Sequence, residues 1–163
     1  MTSVPFAIRR AAPGDAAAVA AHRVGMFRDM GRVQDGALAD ALRAAAEETL
    51  RAWLAAGTYL GWLAAPADRP GEIVGGAGLQ LRPMLPRPDP EGRTLIVGPE
   101  AYVLNVFVER AWRRQGVAAR LMDEVLRWTR EDGRRVVTLH ASSEGRPLYE
   151  RLGFAPTNEL RLR

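Results

Sequence analysis

The segment AYVLNVFVERAWRRQGVAARLMDEVLRW, residues 101–128, constrains the fold more than any other part of the chain. Its opening, AYVLNVFVE, is a near-continuous apolar run, which predicts a strand central in its sheet and buried on both faces. An amphipathic helix is predicted from Arg113 to about Glu131. A strand that runs into a helix N-terminus places an anion at the carboxyl edge of a sheet. This helix opens on arginines although its first turn already carries partial positive charge, an arrangement that suits a bound anion.

The rest of the chain alternates in the same way. FAIRRA reads as a first strand, and Pro13 and Asp15 suit the start of a helix that runs to about Met30 and ends near Gly31. A second helix, Leu38 to Ala55, carries Leu42, Leu50, Trp53 and Leu54 on an apolar stripe and stops at Gly57. TYLGWLAAP and EIVGGAGLQLRPML read as two strands joined by the turn ADRPGE. Gly75, Gly76 and Gly78 weaken the second strand and predict a bulge or a close neighbour. PRPDPEGR is a proline-rich loop, RRVVTLHA a strand, RPLYERL a short helix ended at Gly153, and NELRLR a last strand. The pattern predicts an α/β fold, one sheet with helices on both faces. At 163 residues it fits one domain, spanning residues 1–163.

Composition removes several chemistries. All 23 basic residues are arginine, the net charge is +4, and both signs are scattered, so no nucleic-acid partner is expected. Without cysteine there are no disulfides, no thiolate catalysis and no cysteine metal site. His22 and His140 are far apart, so no metal is expected. No apolar run approaches the roughly 20 residues that cross a bilayer, so no membrane association is expected. MTSVPFAIRRAAPGD lacks the core and cleavage pattern of a signal peptide, so a cytoplasmic location is expected. The anion site is not a nucleotide loop: G-x-x-x-x-G-K-[ST] needs a lysine, G-x-G-x-x-G is absent, and GGAG lies in a strand pattern with no helix after it.

Arg113-x-x-Gly116-x-Ala118 resembles the [RQ]-x-x-G-x-[GA] motif of the GNAT superfamily, the GCN5-related N-acetyltransferases. One strand and one helix later RPLYERLGF, Arg146 to Phe154, resembles the C-terminal LYEKLGF signature of that family, and the order of elements matches along the whole chain. The resemblance implies a mixed, mostly antiparallel sheet splayed at the cofactor site, and acetyl-CoA as acetyl donor without a metal. It further implies that Arg113, Arg114, Gln115, Gly116, Val117, Ala118 and Ala119 surround the pyrophosphate, Gly116 by letting the backbone approach. Val106, Phe107 and Val108 are the strand whose backbone groups meet the pantetheine amides. Tyr149 is implied as the acid that protonates the leaving thiolate, since a phenol with a pKa near about 10 is protonated at neutral pH. Ser142 stands where many members carry an asparagine that contacts the cofactor, and a hydroxyl cannot copy an amide.

The implied reaction is acetyl transfer to a primary amine of a small molecule or peptide, by direct attack in a ternary complex; no cysteine is present to form an acyl-enzyme. The base is left open among His140, Glu109 and water. The stretch RVGMFRDMG, Arg23 to Gly31, has two readings. In one, Met26, Phe27 and Met30 receive an amine whose cation pairs with Asp29; in the other they are core and Asp29 is a surface residue. Family habit suggests a homodimer. The rival function is a non-catalytic acyl-CoA-binding or sensing domain, against which the presence of Tyr149 argues.

Overall fold

Two carboxylates set where the first helices begin. Asp15 Oδ2 accepts the Ala12 N–H at 2.8 Å while Arg9 holds the same carboxylate. The chain leaves strand β1, Phe6–Arg10, passes through one 3-10 turn, Pro13–Asp15, and enters helix α1, Ala16–Asp29. Asp35 Oδ2 accepts the Leu38 N–H at 3.1 Å and opens α2, Gly36–Ala56, a side-chain cap for a free N–H group. Gly57, at φ +70°, ends it. The computed structural model describes residues 5–134, 136–160 and 162.

Strands β2, Tyr59–Pro66, and β3, Gly75–Arg82, follow α2. The proline-rich loop closes on itself as a short hairpin, β4, Arg87–Pro88, against β5, Leu95–Ile96. Then come β6, Glu100–Val108, α3, Val117–Glu131, β7, Val137–Leu139, and α4, Arg146–Arg151. The main sheet has five strands in the order β1-β2-β3-β6-β7, every junction antiparallel except the parallel last one.

The alternation of β2 divides the core. Tyr59 and Leu63 pack with Ala16, Val19, Ala20 and Leu50 of α1 and α2, whereas Trp62 and Ala64 pack with Leu121, Met122 and Val125 of α3. Each fully buried leucine or methionine, Leu63, Leu121 and Met122 among them, contributes roughly 1.5–3 kcal/mol.

The sheet departs from the sequence reading in three places. The strand β6 is fourth of five, and Tyr102, Leu104 and Val106 on it are only half-buried, so β2 and β3 are the strands enclosed on both faces. The third helix begins at Val117 and not at Arg113, because Arg110–Trp112 form a 3-10 turn and Arg114 and Gly116 adopt left-handed φ of +63° and +81°. Of the expected last strand, Asn158 to Leu160 are not extended into the sheet, and Arg161 and Arg163 lie outside the described residues, as does Arg135 before β7.

Candidate active site

β3 and β6 pair in step from Arg82↔Glu100 to Gly78↔Leu104, and then Gly76 faces Phe107. Asn105 and Val106 therefore stand opposite Ala77 alone, which is a bulge. Asn105 takes φ +54°, a left-handed conformation that asparagine tolerates better than most side chains. The glycines of β3 leave room for neighbours on both sides, β2 and β6. A Cβ on Gly78 would overlap the Tyr59 hydroxyl, and one on Gly75 would lie 3.0 Å from the Phe107 carbonyl.

β7 pairs with β6 only from Ala101↔Val137 to Val103↔Leu139. Past Val103 the two strands part, and among the described residues no strand covers that edge of β6. Val106, Phe107 and Val108 all lie on the uncovered stretch.

At the end of β6 the loop delivers the chain to α3 with its first N–H groups free. Gly116 is the N-cap, no side chain caps the helix, and no acidic residue stands in the first turn. Among the described residues, the N–H groups of Gly116, Val117, Ala118 and Ala119 meet no acceptor. A Cβ on Gly116 would meet no protein atom within 4 Å, so that flank of the helix start is open. Free N–H groups, the positive end of a helix and an open approach together fit a phosphate. Gln115 turns back, its Nε2 donating to the Ala111 carbonyl at 3.1 Å, while Arg114 is exposed beside the helix start.

Arg113 does not extend into that space. Its Nε donates to the Val108 carbonyl at 2.9 Å and its guanidinium pairs with Asp29, which Arg110 also approaches at 3.4 Å. Asp29 thus stays on the surface at the end of α1 and joins it to the loop before α3, already paired with arginines and not open to an amine.

Tyr149 lies on α4, packed against the α3 side of the core and edge-on to Phe154 at 6.0 Å between centroids. Burial pushes its phenol up to about 12, and among the described residues its hydroxyl has no hydrogen-bond partner. It therefore stays protonated throughout the neutral range, with its proton undirected by the protein. Ser142 Oγ accepts the Gly145 N–H at 3.1 Å, so that hydroxyl is already engaged in shaping the turn into α4.

On the opposite face of the sheet lies a cavity of about 1000 Å³ between α1, α2, β6 and the turn after β7. Met26, Phe27 and Met30 line it, and Phe27 also packs against the small core of Val24, Val33 and Ala39. His140 lines it as well, its Nδ1 bonded to the Tyr102 hydroxyl and its Nε2 lying 2.8 Å from Glu159 Oε1. Glu109 does not; it sits at the loop, its N–H donating to the Val74 carbonyl at 2.9 Å.

The floor of the cavity is a polar group of three that sequence reading missed. Asn105 Oδ1 accepts from Arg23 at 2.7 Å, and Asn105 Nδ2 donates to the Tyr59 hydroxyl at 3.3 Å. Val103 packs toward α3 and Leu104 toward α1, so strict alternation would aim Asn105 at α3; the bulge turns it to the cavity instead. The available signal was Asn105 itself, a polar residue inside the apolar run AYVLNVFV. Burial drives the Tyr59 phenol up to about 12 against the opposing effects of Asn105 and Arg23. His22, buried beside Phe107 with ring centroids 5.3 Å apart, is held down to about 4 by desolvation and is neutral.

A family model described as the acetyltransferase (GNAT) family matches residues 29–154. No curated protein matches the sequence. Among solved structures, a GCN5-related N-acetyltransferase from Ralstonia eutropha is 29% identical over 98% of both chains, with a TM-score of 0.82. A predicted acetyltransferase from Clostridium acetobutylicum, solved with acetyl-CoA, is 23% identical over 98% of this chain and 96% of that one, TM-score 0.78. An aminoglycoside N-acetyltransferase in complex with CoA is 22% identical over 98% and 93%, TM-score 0.64. Among the described residues, no helix is long and apolar enough to cross a membrane.

Proposed function

The chain belongs to the GNAT acetyltransferase family and is an acyltransferase, and from that premise we propose that it moves an acetyl group from acetyl-CoA to a primary amine of a small molecule or peptide, by direct attack in a ternary complex. One observation carries the reading: the uncovered edge of β6 beside an uncapped α3 whose entrance is left open by Gly116. The edge supplies main-chain groups to an extended, amide-bearing chain, and the helix start supplies N–H groups to a diphosphate. Those two features in sequence are what the two parts of a CoA molecule require, and its presence in the Clostridium acetobutylicum relative supports the same donor here.

When bound, acetyl-CoA supplies an acyl carbon joined to a thiolate leaving group. The chain supplies the rest. The N–H groups of Gly116 to Ala119 hold the diphosphate, with Arg114 adding charge, and the backbone of Val106, Phe107 and Val108 aligns the pantetheine arm. Arg113 shapes this loop through Val108 and Asp29. Attack by the free amine requires one proton removed from nitrogen and one delivered to sulfur. The first is taken by water, or by His140 on the cavity wall once its Tyr102 or Glu159 contact opens to free a ring nitrogen. The Tyr149 hydroxyl, kept protonated by burial, delivers the second.

The test is a calorimetric titration of the purified chain with acetyl-CoA, followed by measurement of CoA thiol release when amines are added. Saturable binding with amine-dependent thiol release is expected. Binding without release under any amine supports the non-catalytic acyl-CoA-binding alternative, and no binding removes the reading.

A further inference from the structure

The cavity between α1, α2 and β6, where the acetyl-transfer reading seats the acceptor because His140 lines it, has a charge pattern which that reading does not use. Arg23, Arg32 and Arg82 line it, against the single carboxylate of Glu159. Among the described residues, none of the three arginines pairs with a carboxylate. Two of them have neutral partners. Arg23 donates to the Asn105 amide oxygen at 2.7 Å and lies over the Phe27 ring at 5.0 Å; Arg82 donates to Gln80 Oε1 at 3.2 Å and lies over the Tyr102 ring at 3.2 Å. These contacts fix the guanidinium groups in place and leave their charge unneutralised, with N–H groups to spare.

The carboxylates that could have welcomed a cation are engaged elsewhere. Asp29 is held by Arg113 and Arg110, and Glu159 lies against His140. A cleft with walls of low dielectric concentrates the field of such a cluster, attracting anions and repelling polycations. Met26, Phe27, Leu42 and Trp53 supply apolar wall beside it.

Resting on the acetyl-transfer reading, we propose that the acceptor is an amine that also carries a carboxylate or phosphate and an apolar body, its anion held by Arg82 and Arg23. An aminoglycoside-like polycation is the wrong charge for this cavity. Arg32 is exposed and steers the anion inward.

The experiment uses the full chain saturated with acetyl-CoA and reads CoA thiol release. L-phenylalanine and L-methionine are run beside their amides, O-phosphoethanolamine beside ethanolamine, and spermidine as a polycation. In at least one pair the anionic member is expected to be used about tenfold better in kcat/KM, as a charge-assisted contact implies. The amide pairs are a stringent comparison, because the less basic amine of an amide is more often unprotonated and otherwise reacts faster. Whether the amino acids or the phosphoamine respond distinguishes carboxylate from phosphate. Arg82→Gln should raise KM for the anionic acceptor roughly ten- to hundredfold while KM for its uncharged partner stays within about threefold, with acetyl-CoA affinity unchanged and partial rescue in Arg82→Lys. Arg82 carries this arm because Arg23 also supports Asn105. Silence of every anionic member while acetyl-CoA binds, or a preference for the uncharged or polycationic amines, overturns the proposal. Failure of acetyl-CoA to bind overturns the acetyl-transfer reading beneath it.

Discussion

The two proposed half-sites, donor and acceptor, on either side of β6 are made of different material. Beside α3 the protein offers main chain: the open edge at Val106 to Val108 and the free N–H groups of Gly116 to Ala119. Beside α1 and α2 it offers side chains, Arg23, Phe27, Arg82, Tyr102 and His140, brought from separate elements to one cavity. Main-chain recognition is indifferent to most substitutions and depends on backbone shape. Side-chain recognition depends on each residue and can change one at a time. The first kind suits a donor common to many reactions, the second an acceptor that differs between them.

The sharpest way to break this contrast is Gly116→Glu, which puts a side chain and a negative charge where the diphosphate approaches. Acetyl-CoA affinity should fall at least about a thousandfold by calorimetry, while a thermal melt shows a folded protein, the residual cost being about 1–2 kcal/mol for the left-handed φ of +81°. Normal affinity in that variant would refute the diphosphate site. Tyr149→Phe removes only the hydroxyl, and with it the proton to be delivered. Turnover should drop roughly a hundredfold with acetyl-CoA affinity held within about threefold, and an unchanged kcat removes Tyr149 from catalysis. Asn105→Ala should damage both half-sites together. It leaves the buried Tyr59 hydroxyl and one face of Arg23 without their partner, which costs about 2 kcal/mol in a chemical denaturation curve, and both acetyl-CoA affinity and acceptor KM should worsen.

Two smaller effects sharpen the picture. His22 is neutral when folded, with its pKa near 4, and protonates near its ordinary 6.5 when unfolded. The unfolded chain therefore binds the extra proton, so stability is complete above about 6.5 and falls as pH drops toward 4. The loss should be about 1 kcal/mol between about pH 6 and 5, and absent in His22→Leu. Asp29→Asn releases Arg113 and should change acetyl-CoA affinity by only about two- to fivefold, since the pair is partly exposed.

The same contrast explains what the sequence made legible. A helix start shaped by Gly116 and Ala118 is a local event, written in neighbouring residues, and RPLYERLGF is equally local. The glycines of β3 announced a bulge because missing side chains report a close approach, although not whose. The cavity had no such record. Arg23, Tyr59, Gln80, Arg82, Tyr102 and Glu159 converge only after the sheet forms, and no local pattern ties them together. Asp29 shows the limit from the other side. Its residue type suited an amine, but its partners came from a loop on the far side of the chain.

Asn105 carries one further consequence. Its left-handed backbone opens the bulge beside the donor's strand, and its amide anchors Arg23 beneath the acceptor. On the proposed reading, a substitution here made to welcome a new acceptor would weaken the grip on the donor in the same step. Substitutions at Met26 and Arg82, which line the cavity away from the bulge, change on the same reading the acceptor side alone.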